Sequence, residues 1–341
     1  MRVIPDQDSR DLAAMCRSVL AAQLEAAEQW KTLAEAGVLG LAIDGSLCDV
    51  GVFCIEAGRA LCPRVVQSTV YAALAIDWLS VGSAWLPRLT SGEARAATAL
   101  FSPRYAADMP RLQAHRDGDR QRVSGVADFV TDADVADVIV ATTYAGLVAV
   151  DTTTSGISIE PVAMMGGFPA FTVRFDEVGV DEATPVDAQQ LRRVANAIVA
   201  LDCLDLVGVG EAVVERTVEY TKMREQFGRP IASFQAAQHL VADMHIALAA
   251  ARLAAHSAVS RIAQGDTATR ETAVARMRAA EVKKITLDAH LYNDLDIDSI
   301  DAVDLAVKLR QLTGKRLQPE VFKKVRTVGD VVDALAALLE R

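Results

Sequence analysis

A chain of 341 residues is too long for one small core, and at roughly 150 residues per domain it predicts two or three domains. Apolar residues make up 51% and charged ones 23%, which excludes a disordered chain, and the Ala-, Val- and Leu-rich, aromatic-poor apolar share predicts closely packed helices. A formal net charge of −10 argues against nucleic acid as a partner, and Asp77 and Arg252 interrupt the longest apolar runs before the ~20 residues that crossing a membrane requires.

Residues 8–89 carry helical periodicity. Leu12, Met15, Val19 and Leu20 recur at helical spacing, as do Trp30, Leu33 and Ala34 ahead of a stop at Gly37. A second helix holds Val52, Ile55, Glu56 and Arg59 and ends near Pro63, and a third is expected over residues 68–79. Residues 97–186 read as β structure. Strand and turn signals run from Arg122 to Val130, residues 138–143 and 147–150 form a pair around Tyr144-Ala145-Gly146, and residues 171–175 alternate apolar and polar. From residue 187 the chain turns helical again, with Phe234, Ala237, Val241, Met244, Leu248, Ala251 and Ala255 in one stripe suited to a bundle core. After His290 the texture changes once more. Residues 291–304 hold five Asp and no Lys or Arg, and amphipathic helices are expected over 299–312 and 327–339. The domains expected are therefore 1–96, 97–186, 187–290 and 291–341.

Cys16, Cys48, Cys54, Cys62 and Cys203 form no CxxC pair. They predict buried apolar thiols rather than a zinc site. With no secretory pattern at Met1-Arg2-Val3-Ile4-Pro5-Asp6, a cytoplasmic location is expected.

Arg224-Glu225-Gln226-Phe227-Gly228-Arg229-Pro230-Ile231, then Phe234-Gln235 and His239, then Ala242-Asp243-Met244, form linked motifs at fixed spacing. With the helix–β–helix order and the Trp85-to-Glu93 approach to the β region, they resemble the acyl-CoA dehydrogenases over residues 10–290. The fold this implies is mainly α, with a β-barrel-like middle domain between helical ones. The resemblance implies FAD as cofactor. Arg224 and Gln226 then meet the FAD of a neighbouring subunit, Phe227 packs near its adenosine half, and Phe234 and Gln235 also touch it. A guanidinium suits a pyrophosphate because its planar fork gives two donors to one anion. Phe129-Val130-Thr131 matches the segment beside the isoalloxazine, where the Thr hydroxyl can donate to flavin N5. A turn Thr bonded to its own backbone is the alternative reading of Thr131.

The sequence departs from this pattern. The loop that touches flavin and substrate aligns with Phe101-Ser102-Pro103-Arg104 and keeps only the Pro. The segment from Thr286 to His290 leads into an acidic stretch instead of the family's cofactor loop, and the common catalytic Glu has no counterpart. The alternative base position falls at Ile198, which cannot take a proton. Asp202 and Asp205 are the nearest acids, readable as inter-helix polar contacts or as catalytic groups. No base is assigned. The short Asp44-Gly45-Ser46 link stands where the family often has a Gly-rich loop.

The run from Asn293 to Leu305, with Asp298-Ser299-Ile300-Asp301 at its centre, resembles the acyl carrier proteins, with the first carrier helix missing. The resemblance implies that Ser299 carries 4′-phosphopantetheine, and a Ser at a helix start favours a phosphodiester there. Asp294, Asp296, Asp298, Asp301 and Asp304 are either a solvated face or a patch that steers carrier-processing enzymes. Two readings result. One is an FAD-dependent enzyme that desaturates an acyl thioester at Cα–Cβ, on CoA or a carrier. The other is a non-catalytic dehydrogenase-like subunit of a hetero-oligomer, serving as scaffold and carrier.

Overall fold

The structure is a computed structural model that describes residues 7–22, 24–100, 112–117, 120–164, 168–180, 183–226 and 228–287. Residues 101–104, Phe227 and the whole carrier-like stretch with Ser299 lie outside the described residues. The chain falls into two units, Met1–Val209 with Arg252–Arg276, and Gly210–Ala251 with Met277–Arg341.

The first unit begins with helices α1 (Gln7–Ala21), α2 (Ala26–Glu35), α3 (Leu41–Asp44), α4 (Leu47–Ala60), α5 (Arg64–Leu79) and α6 (Leu86–Thr90). The Asp44-Gly45-Ser46 link opens α4 directly. The Ser46 hydroxyl accepts from the Asp49 N–H and the Asp49 carboxylate accepts from the Ser46 N–H, a reciprocal cap that satisfies two helix-end donors. α5 starts at Arg64 rather than at Ser68 as the periodicity suggested. Pro63 stands at its N-cap, where the missing N–H costs nothing, and the helix runs on from there. From Val66 to Ile76 every residue of α5 is buried. A helix buried on all sides belongs in a core, and α5 lies against β1 (Ala96–Ala99), β3 (Arg120–Thr131) and β4 (Val138–Thr143).

The β region also contains β2 (Gln113–Asp117), β5 (Gly146–Asp151), β6 (Ile157–Pro161) and β7 (Ala170–Val180). It consists of two sheets, ordered β1-β4-β5 and β2-β3-β7-β6. Their inward residues, among them Val123, Val130, Ile139, Val148, Val173 and Phe175, share one apolar core. The pair expected around Tyr144-Ala145-Gly146 is the β4–β5 hairpin, with Thr143 opposite Gly146. Gly146, at φ 143°, passes so close to the Thr184 carbonyl that a Cβ there would overlap it.

The chain continues with α7 (Ala188–Met223), a short hairpin of β8 (Glu225–Gln226) and β9 (Arg229–Pro230), α8 (Gln235–Ala263) and α9 (Thr269–Leu287). Within the first unit α7 crosses α4 very closely. A Cβ on Gly208 would fall on the Ile55 carbonyl oxygen, and one on Gly58 on that of Asp205. In the second unit the long stripe of α8 is only partly a core. Leu248 and Ala251 are buried, whereas Phe234, Ala237, Val241 and Met244 are half-buried. Ile246 is 68% exposed on α8, and Met223 76% on α7. A stripe at helical spacing is buried only where another element covers it, so the bundle-core expectation holds from Leu248 onward and not before. No helix among the described residues is long and apolar enough to cross a membrane.

Candidate functional site

Three consecutive polar residues are buried near the start of α5, and each needs a partner. Gln67 donates to Asp205 of α7 at 2.5 Å, the Ser68 hydroxyl donates to Asp132 at 2.6 Å, and the Thr69 hydroxyl accepts from the Ala96 N–H at 3.1 Å. Arg64, Gln67, Ser68 and Tyr71 occupy one helical face at steps of three and four. Arg64 pairs with Asp202 and, at 3.4 Å, with Asp205. Its guanidinium also lies over the rings of Tyr71 and Phe168, at 5.7 and 6.0 Å, and the Tyr71 hydroxyl sits 3.6 Å from Cys54 Sγ. The Arg64 Nε–H is buried with no hydrogen-bond partner among the described residues.

This places three carboxylates around one cation. Burial works against the charge of Arg64, but Asp202, Tyr71 and Asp205 more than offset it, and its pKa is held above the ordinary value. Burial pushes Asp205 up to about 6, with Arg64 and Gln67 only partly opposing. Burial likewise pushes Asp132 up to about 6 against the Ser68 hydroxyl and Arg64. The nearest acids in the sequence, Asp202 and Asp205, are thus joined to α5 through an ion pair and a hydrogen bond. Ile198, one turn before Asp202, is buried and has no acid–base chemistry.

Asp132 directly follows the segment Phe129-Val130-Thr131 at the end of β3. Here the β3–β7 register shifts between Ala127 and Val130, a bulge. Phe129 lies at φ 58° and Asp132 at φ 56°, two non-glycine residues in the left-handed region within four positions. Such backbone is costly for a side chain like Phe, and bulges re-aim the residues that follow. Val130 points into the β core at 2% exposure, while Thr131, opposite Ala170, is half-buried.

The other predicted residues share the hairpin between α7 and α8 in the second unit. Gln226 pairs with Arg229 across a turn held by Gly228 at φ 77°, and the Ile231 N–H donates to the Arg224 carbonyl at 2.8 Å. Arg224 and Gln226 are half-buried, and Gln235, the first residue of α8, is exposed. The guanidinium of Arg229 stacks 4.1 Å from the centre of the Phe234 ring. The structure therefore brings Arg224, Gln226, Phe234 and Gln235 together in one turn and Phe129, Val130 and Thr131 at one strand end.

The C-terminal helices, residues 197–289, match the family model described as acyl-CoA dehydrogenase, C-terminal domain. Residues 272–335 match the one described as phosphopantetheine attachment site. Acyl carrier protein 2 of Ralstonia nicotianae is 57% identical over 61 residues, 18% of this chain and 75% of that protein. The acyl-CoA dehydrogenase IpdE2 of Mycobacterium tuberculosis is 31% identical over 238 residues, 70% of this chain and 62% of its own length. Residues 197–289 thus carry the pattern of an acyl-CoA dehydrogenase C-terminal domain, and the last part of the chain that of an acyl carrier. An L-prolyl-[peptidyl-carrier protein] dehydrogenase of Pseudomonas fluorescens is 29% identical over 322 residues, 81% of this chain and 84% of that one. Among solved structures, the ChsE4-ChsE5 complex from Mycobacterium tuberculosis superposes with a TM-score of 0.73 at 25% identity, over 84% of this chain and 85% of that chain. The cofactor of the dehydrogenase family is FAD, and that of the attachment site is 4′-phosphopantetheine.

The Arg64 cluster escaped sequence reasoning, although a trace of it is legible. Arg64, Gln67, Ser68 and Tyr71 line one face of a helix whose other residues are mostly apolar. Starting that helix at Ser68 hides the pattern. The cysteines divide: Cys16, Cys54 and Cys203 are buried as expected, but Cys62 is half-buried and Cys48 is exposed.

Proposed function

We propose that this chain is an acyl-CoA dehydrogenase that binds FAD and works on an acyl group held as a thioester on a phosphopantetheine arm, removing hydrogen from Cα and Cβ. The observation that carries the reading is the presence of a dehydrogenase body and an attachment site for that arm in one chain. A relative named as a dehydrogenase of a carrier-bound prolyl group supports it.

The residues present suit a flavin dinucleotide. Arg224 would neutralise and hydrogen-bond the pyrophosphate of a cofactor shared with a neighbouring subunit, with Gln226, Phe227, Phe234 and Gln235 around it. Thr131, re-aimed by the bulge and half-buried, would donate its hydroxyl proton to flavin N5, with Phe129 and Val130 shaping the wall. When bound, FAD supplies the acceptor for the hydride leaving Cβ. Ser299 would carry the arm, and the acidic residues 294–304 would steer carrier-processing enzymes toward it.

A second reading, a non-catalytic subunit of a mixed dehydrogenase, has its own support. Position 198 is a buried Ile, and Asp202 and Asp205 are held by Arg64. Tyr220, Met223 and Ile246 expose apolar surface on the second-unit helices, and the ChsE4-ChsE5 neighbour is a two-component complex. The absorbance spectrum of the purified chain, followed under anaerobic conditions with a thioester-loaded arm, separates the two. Yellow protein that bleaches supports the enzyme. Flavin that never bleaches alone but does so after a second subunit is added supports the mixed assembly. Colourless protein that takes up no FAD sinks the first reading.

A further inference from the structure

The dehydrogenase match runs to residue 289 and the attachment-site match starts at residue 272. Nearly all of α9 therefore satisfies two patterns at once. Its faces explain how. Thr272, Ala275 and Ala279, at steps of three and four, are buried at 4%, 0% and 2% exposure. The opposite face bears Val274 at 43% and Met277 at 68% exposure. A long, flexible apolar side chain two-thirds in water is an unspent hydrophobic contact.

The span of the attachment-site pattern points to what covers it. That pattern runs from residue 272 to residue 335, so its first part is α9 and its remainder is the tail after residue 287. The tail's own pattern is two amphipathic helices, the second with Val328, Val331, Val332, Leu335, Leu338 and Leu339 on one face. Two short helices cannot enclose such a face, and domains of about 50 residues are marginal even when complete.

We propose that α9 is the first helix of the carrier as well as the last helix of the dehydrogenase body, with the Met277 face covered by residues 291–341. The inference rests on the carrier identity of the tail. It also means that no flexible linker joins carrier to body. The swinging element is then the phosphopantetheine arm alone, and the effective concentration of the acyl group is set by the arm's reach rather than by a tether.

The test uses the full chain, a phosphopantetheinyl transferase and coenzyme A, with loading of Ser299 followed by intact mass and backbone hydrogen exchange followed by peptide mass. Met277→Asp places a charge on a surface position of the body but inside the proposed carrier core. It should speed exchange across 299–312 and 327–339 by roughly tenfold or more, as burying an unpaired charge in a small core does, and slow loading of Ser299. Exchange in α4 and α5 should stay at the wild-type rate, and Met277→Leu should restore both carrier signals. Wild-type loading and exchange in Met277→Asp would overturn the shared helix while leaving the carrier identity standing. A wild-type chain that takes up no phosphopantetheine and exchanges throughout the tail at free-peptide rates would overturn both.

Discussion

Asp132 is where local strain, burial and charge coincide. It sits at φ 56°, is 5% exposed, and is held by the Ser68 hydroxyl at 2.6 Å. Its folded pKa of about 6 lies above the ordinary 3.8, so the folded state binds its proton more tightly than the unfolded chain does. The stability this contributes is present below about pH 4 and is lost as pH rises through about 6. Asp132→Asn keeps an acceptor for Ser68, tolerates the left-handed backbone and cannot ionise. Urea midpoints should show the variant gaining on wild type between pH 4 and 7, by on the order of 2 kcal/mol at the plateau. His256, whose pKa is lowered to about 4 chiefly by burial and secondarily by Arg252, titrates in the same window in the opposite sense. It does so in both proteins and cancels from the difference. A midpoint gap that stays flat with pH would show that Asp132 ionises normally. Arg64 is the complementary case. Arg64→Met leaves Asp202 and Asp205 without their cation and should destabilise by about 3–5 kcal/mol at pH 7, less at pH 5 where Asp205 can take a proton. Equal losses at the two pH values would argue against a raised Asp205.

Two elements set the geometry around these residues. The α4–α7 crossing depends on bare backbone at Gly58 and Gly208, because a methyl group at either meets a carbonyl oxygen of the other helix. Gly208→Ala should therefore cost about 1–3 kcal/mol despite its better helix propensity, read as a lower urea midpoint at unchanged slope. An unchanged or raised midpoint would mean that the two helices can separate freely. The hairpin between α7 and α8 is the second device. Its pairing of Gln226 with Arg229 and the bond from Ile231 to the Arg224 carbonyl fix the backbone from which the Arg224 side chain leaves. If that guanidinium grips FAD, Arg224→Ala should weaken FAD binding by on the order of 2 kcal/mol, about thirtyfold in Kd, with the melting temperature of the flavin-free protein unchanged. Equal FAD affinity in fluorescence titration would remove Arg224 from the site.

At the scale of the molecule, the second-unit helices expose Tyr220, Met223 and Ile246, and α8 is covered only from Leu248 onward. Sedimentation should accordingly show an assembly larger than one chain, and Met223→Glu with Ile246→Glu should shift it toward monomer without lowering the melting temperature of the first unit. A monodisperse single chain at micromolar concentration would contradict this. Much of this organisation is legible in the sequence. Periodicity marks the helical, β and helical blocks, the spacing from Arg224 to Met244 marks the dehydrogenase hairpin, and the run around Ser299 marks the carrier, because each is written within a few dozen contiguous residues. The tertiary structure alone decided the rest. Arg64 and Asp202 stand 138 positions apart, Ser68 and Asp132 stand 64 apart, and the bulge at Phe129 exists only against the register of β7. Pairing across such distances leaves no repeat in the chain to read. Burial likewise belongs to the packed neighbours, so a continuous apolar stripe on α8 can be core at one end and half-exposed at the other.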